Sequence, residues 1–205
     1  SPIPAAIASA ELDVQLEPKL AAAHNSLATR YLQVGRVADA QVRLEEAVRL
    51  DPRDAEAQSN LGTVLQRQGY LNKGLEHLRT AVQLKPKDDA VRFNLGAGLL
   101  ALGQPDAAIR EFKTAGALNP ENADAHFNLG VILGPRKQLD EAIAHLRRVV
   151  EINPLHADAY QNLALAYALN GRIEEATAPA QTAVRLKPDS AAAQQLLQRL
   201  LTVRK

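Results

Sequence analysis

The sequence has no cysteine, no methionine and no tryptophan. Without thiols there can be no disulfide, no thiolate metal site and no cysteine nucleophile. Phe and Tyr together make up only 3% of the residues while 46% are apolar, so the apolar complement is aliphatic and rich in alanine. A core of such small side chains suits helices packed at close range. Neither charge sign predominates: 24 basic residues face 23 acidic ones, for a net charge of +1. No broad field would steer the chain to nucleic acid or to an acidic membrane surface. No apolar run approaches the roughly 18 residues of a membrane span, so neither nucleic acid nor membrane insertion is expected. The chain opens Ser1-Pro2 with no charged-then-apolar leader. A removed signal peptide, a trimmed initiator and an excised piece all remain open, with a secreted location slightly favoured over a cytoplasmic one.

Proline supplies the register. Pro18, Pro52, Pro86, Pro120, Pro154 and Pro188 stand 34 residues apart without an insertion or deletion. Such strict periodicity signals a repeat solenoid. Asn60-Leu61-Gly62, Asn94-Leu95-Gly96, Asn128-Leu129-Gly130 and Asn162-Leu163-Ala164 recur in one phase, and Ala40, Ala108, Ala142 and Ala176 in another.

Between the prolines the apolar spacing is helical. Leu61, Val64 and Leu65, then Leu71, Leu75, Leu78 and Val82, follow the i, i+3, i+4, i+7 pattern, broken at Gln68-Gly69-Tyr70 where one helix ends and another starts. Each unit is therefore a helical hairpin, and proline opens the turn into the next one. Gly62, Gly96, Gly130 and Ala164 are expected to face the alanines of the second helix, letting the two backbones approach. Gly134-Pro135 should cut short the first helix of the fourth unit, and Pro179 should bend the second helix of the fifth.

The pattern resembles the tetratricopeptide repeat family, in the variety found in the O-linked N-acetylglucosamine transferase. One repeat reads Arg92, Leu95-Gly96, Leu99, Ala108, Phe112, Pro120, and another Tyr160, Leu163-Ala164, Tyr167, Ala176, Ala180, Pro188. The resemblance implies an all-α fold, a right-handed superhelical solenoid of antiparallel helix pairs. Five full repeats span 21–54, 55–88, 89–122, 123–156 and 157–190. No room remains for that enzyme's catalytic region.

Residues 1–20 align with a second helix lacking its first, and 191–205 with a first helix lacking its second. Head-to-tail stacking would complete a repeat between copies, giving rings or filaments. Ile7, Ala10, Val14 and Leu16 would meet Ala193, Leu197, Leu200 and Leu201 there. The competing reading is a capped monomer, since Gln198 occupies the small-residue position and Asp13 stands where the family has Ala.

Catalytic signals are poor. No HExxH, no phosphate loop and no nucleophile with a base is present, so no enzyme activity, cofactor or metal is expected. His24 and His126 fall at the large first-helix position and read as packing residues.

The resemblance places the first helices on the concave face of the solenoid. There Asn60, Asn94, Asn128 and Asn162, with Ser26 at the first rung, could grip an extended peptide backbone, beside an apolar floor of Phe93, Phe127, Val131 and Leu165. The family's carboxylate clamp is not matched, because Asn25 and Ser59 stand where its lysine belongs. The expected function is a protein-interaction scaffold with protein or peptide partners, either self-assembling head to tail, binding peptides as a monomeric adaptor, or serving a larger protein as its repeat domain.

Overall fold

The computed structural model describes residues 2–203, except the side chains of Pro2 and Ile3; Ser1, Arg204 and Lys205, which the two expected half repeats include, lie outside the described residues. Twelve helices and no strand occur among the described residues. They are α1 (Pro2–Leu16), α2 (Ala21–Gln33), α3 (Val37–Leu50), α4 (Ala55–Arg67), α5 (Leu71–Leu84), α6 (Asp89–Ala101), α7 (Pro105–Leu118), α8 (Ala123–Leu133), α9 (Leu139–Ile152), α10 (Ala157–Leu169), α11 (Ile173–Leu186) and α12 (Ala191–Val203). The fold is an all-α repeat solenoid of helix pairs.

Local chemistry sets the boundaries. Two residues after Pro52, Pro86, Pro120 and Pro154 stands a side-chain helix cap. Asp54 accepts from the backbone N–H groups of Glu56 and Ala57, Asp88 from that of Val91, Asn122 from that of Ala125, and His156 Nδ1 from that of Ala159. Each satisfies a donor that the first turn leaves orphaned. The first helices close with a second repeated device. The N–H groups of Arg36, Tyr70, Gln104, Gln138 and Arg172 reach back to the carbonyls of Tyr31, Leu65, Leu99, Leu133 and Tyr167. This closure needs a left-handed residue just before the donor. Glycine supplies it at Gly35, Gly69, Gly103 and Gly171, but the fourth turn uses Lys137 at φ 61°.

Gly134-Pro135 shortens α8 to 11 residues against 13 in α10, yet the same closing bond forms. Pro179 lies within α11, which runs on through it.

The chain divides into two compact units, Ser1–Glu111 and Phe112–Lys205. In the first, α1 through α6 each pack on their chain neighbours, and α4 also packs on α2 and α6. Its core gathers Leu27, Ala28, Tyr31, Leu44, Leu61 and Val64, with Ala10 of α1 joining it and Ile7 and Val14 packed alongside. In the second, α8 through α12 follow the same order, and Ile143, Leu146, Leu163, Tyr167 and Leu200 form the core. Burial of these stripes, which no helix could achieve alone, is what holds each unit together.

One packing expectation is corrected. Gly62 and Gly130 face a second-helix leucine rather than chiefly an alanine, whereas Ala164 lies in one buried cluster with Ala176 and Ala180: a Cβ built on Gly62 would lie 2.7 Å from Leu78 Cγ and 2.8 Å from the Gly74 carbonyl oxygen. Gly130 likewise opens onto the Leu146 side chain. The leucine fills the gap that the missing Cβ leaves.

Candidate protein-binding surfaces

The asparagines predicted as a ladder do recur along the first helices, but their hydrogen bonds differ between the two units. In the first unit the rungs tie neighbouring repeats together. Asn60 Nδ2 donates to Asn25 Oδ1 and Asn94 Nδ2 to Ser59 Oγ, both at 2.9 Å. Asn25 and Ser59 therefore form a second polar row that sequence reading noticed only as a departure from the clamp. Ser59, Asn60, Val91 and Asn94 line a cleft of about 270 Å³, edged by Glu56 and Lys85. A similar cleft of about 360 Å³ lies one repeat earlier against Asn25, Ser26, Thr29 and Arg30.

In the second unit Asn128 and Asn162 instead turn back to the carbonyls of Asp124 and Asp158, both at 2.8 Å. Phe127, in the register of Asn25 and Ser59, offers no acceptor to Asn162, so the amide bonds within its own helix. This face is apolar. Val131 and Leu165 are 41% and 43% exposed, and the half-buried Phe127 ring lies against His156 at 4.7 Å. Phe93 is half-buried in the first unit.

A further array escaped sequence reading. At the large first-helix position, His24 Nε2, Gln58 Nε2, Arg92 Nε and Gln194 Nε2 each donate to the carbonyl of the proline six residues earlier: Pro18, Pro52, Pro86 and Pro188, at 3.0, 2.9, 2.9 and 2.5 Å. A carbonyl can only accept, so His24 must carry its proton on Nε2. His24, expected as a packing residue, thus latches the inter-repeat turn. In three hairpins the residue at this register position also links the two helices. His77 Nδ1 donates to Gln58 Oε1 at 2.7 Å, Arg92 pairs with Glu111 at 2.7 Å, and His126 Nδ1 meets His145 Nδ1 at 3.0 Å. Burial pushes the His77 imidazole pKa down, against the opposing pull of Glu76 and Glu45. The 34-residue spacing was the one signal that could have exposed the array, because its members are not all of one side-chain type.

Among the described residues no group of three or more His, Cys, Asp or Glu side chains could hold a metal ion. No helix among them is long and apolar enough to cross a membrane. The surfaces offer hydrogen-bonding rungs and apolar patches, which is the chemistry of binding to polypeptide.

Residues 25–89, 93–154 and 136–200 match the description "Tetratricopeptide repeat". This chain belongs to the tetratricopeptide repeat family. Comparison with curated proteins gives no match. Among solved structures the repeat chain is similar to YrrB, described as "a TPR protein with an unusual peptide-binding site", at 25% identity and a TM-score of 0.72, covering 91% of this chain and 96% of that one. It is similar to the MamA protein at 25% identity and a TM-score of 0.69, covering 83% and 93%. PilF of Pseudomonas aeruginosa shares the fold at 21% identity and a TM-score of 0.81, covering 91% and 85%. The tetratricopeptide repeat chain is a protein-interaction scaffold by family.

The terminal helices of this tetratricopeptide repeat chain split the predicted self-association residues into two groups. Ala10, Ala193 and Leu200 are buried within their own units. They hold α1 and α12 in place and leave no free surface. Ile7, Val14 and Leu197 are half-buried against the same cores. Leu16 is 70% exposed and Leu201 44%, joined by Leu12 and Val203. α1 is also tied to α2 by Tyr31, whose hydroxyl donates to Glu11 Oε1 at 2.8 Å. Burial foremost, and then the carboxylate, push the Tyr31 pKa up.

Proposed function

We propose that this tetratricopeptide repeat chain is a non-enzymatic scaffold that associates head to tail, α12 of one copy receiving α1 of the next as a first helix receives its second. The observation that supports this reading is a reversal of side-chain size at the two ends. In the second and fourth hairpins a small first-helix residue faces a large second-helix one, Gly62 with Leu78 and Gly130 with Leu146. In the same register α12 carries Gln198 and α1 carries Ala10. Gln198 would supply from α12 the bulk that a leucine supplies inside the chain, over an Ala10 already nearly covered by its own unit. Leu16 and Leu201, exposed in the single chain, would be covered in the junction.

Sedimentation and electron microscopy at raised concentration test it: assemblies that grow with concentration are expected, and strictly monomeric particles would sink it. Leu201→Asp should weaken assembly without unfolding the chain, because Leu201 is already exposed and the change puts a charge into the junction alone.

The polar rungs and clefts of the first unit support a second reading, an adaptor that binds an extended peptide; the likeness to YrrB, described as having a peptide-binding site, points the same way. Asn60 and Asn94 each keep one amide hydrogen and one oxygen beyond the bonds described, enough to meet a peptide backbone without reading its side chains. Replacing both with Ala should lower peptide capture and leave assembly unchanged. No change in either property would count against the adaptor.

A further inference from the structure

The fourth hairpin departs from its neighbours at the cross-helix link. Gln58 with His77, and Arg92 with Glu111, are pairs in which a donor meets an acceptor whatever the pH of a neutral solution. His126 and His145 are two imidazoles, their Nδ1 atoms 3.0 Å apart and their rings stacked with centroids at 5.2 Å. At that separation one nitrogen must carry a proton and the other must not. Two bare nitrogens would repel through their lone pairs, and two protonated ones through their charges.

The surroundings provide little relief for a second charge. His126 Nε2 is buried without a well-formed hydrogen bond among the described residues. The Pro120 carbonyl, which the register assigns to it, also accepts from Arg148 Nε at 3.2 Å; it still favours the charged His126 ring, but burial outweighs that pull, and Arg148 also pairs with Glu121. From α7, Lys113 reaches Glu141 at 2.5 Å; Glu141 lies 3.9 Å from His145 Nε2. Gly116 makes room for the ring, since a Cβ there would stand 3.1 Å from His126 Cε1. The charged groups around the pair are thus Lys113, Glu121, Glu141 and Arg148, with both carboxylates already engaged by cations.

We propose that the His126–His145 pair is an acid-responsive latch on the fourth hairpin: with one proton held between the two Nδ1 atoms it ties α8 to α9, and once both rings are protonated it drives them apart. Burial is the first cause holding both imidazoles below their ordinary pKa of 6.5; for His145 the neighbouring His126 adds to it. A depressed folded-state pKa means that the latch's contribution is complete above 6.5 and is lost as pH falls below it, because the unfolded chain takes up protons that the folded pair refuses. The response is independent of whether the scaffold stacks or binds peptide.

Hydrogen exchange on the 205-residue chain at pH 7.5 and 5.5, corrected for the intrinsic pH dependence of exchange, tests this. The α8 and α9 amides should lose protection several-fold at the lower pH while those of α4 remain level. His126→Gln recreates the Gln58 and His77 pairing in the same register, supplying a fixed acceptor to His145, and should abolish most of the loss. NMR titration of both imidazoles supplies the second measurement and does not depend on the variant folding. Equal protection at both pH values, an equal loss in His126→Gln, or two rings that titrate independently near 6.5 would each overturn the latch.

Discussion

Lys137 occupies the position that Gly35, Gly69, Gly103 and Gly171 occupy in the other four hairpins, and it holds the same left-handed backbone. An L-residue there carries a Cβ pressed toward the following carbonyl, at about 1–2 kcal/mol, which glycine avoids at some cost in unfolded-state entropy. Lys137→Gly should therefore stabilise the chain by about 1 kcal/mol, read as a rise in the denaturation midpoint with an unchanged slope. The opposite sign is expected at Gly62. Replacing a helical glycine with alanine ordinarily gains about 1 kcal/mol in propensity. Here the new methyl would meet Leu78 Cγ and the Gly74 carbonyl. The carbonyl belongs to a packed helix and cannot swing aside, so sterics win. Gly62→Ala should destabilise by about 1–3 kcal/mol, and a stabilised variant would mean that α4 and α5 slide apart freely.

At the scale of the helix, the caps decide where each pair begins. Asp54 satisfies two of the donors at the start of α4; Asp54→Ala should cost about 1 kcal/mol in thermal or denaturant unfolding, whereas the same register at Leu20 has no cap to lose. The elements themselves were legible because period and proline both reported them. Gly69 marked the break between α4 and α5, and Gly134-Pro135 the early end of α8. Less legible were contacts made by unlike residues in a like register. His24, Gln58, Arg92 and Gln194 latch four proline carbonyls with three kinds of side chain, and neither composition nor apolar spacing marks a donor's reach. The first and fifth hairpins share another such device: Arg36 lies over the Tyr31 ring at 4.1 Å and pairs with Asp39, while Arg172 lies over Tyr167 at 4.8 Å and pairs with Glu175. The asparagine rungs were found by their motif. Whether each tied two repeats or turned back on its own helix depended on the residue one repeat away, Ser59 for Asn94 and Phe127 for Asn162.

For the molecule as a whole, one carboxylate would oppose the proposed head-to-tail association. Asp13 stands in the register of Ala47, Ala81, Ala115, Val149 and Ala183, all of them buried to 1% or less exposure. In the single chain Asp13 is exposed and hydrated. A copy docking its α12 against α1 would cover that position and take water from an unpaired charge, a cost that would work against the burial of Leu16 and Leu201 in the proposed junction. Asp13→Ala should therefore tighten head-to-tail association, by roughly tenfold if about 1.4 kcal/mol of desolvation is relieved, while Leu201→Asp acts in the opposite direction. With a net charge of only +1, overall repulsion between copies is small, so the two substitutions should differ at any ionic strength. Sedimentation equilibrium on the two variants checks both signs together: if Asp13→Ala leaves the dissociation constant where it was, α1 does not enter the junction in the second-helix register, and the size reversal between Gln198 and Ala10 has no role in assembly.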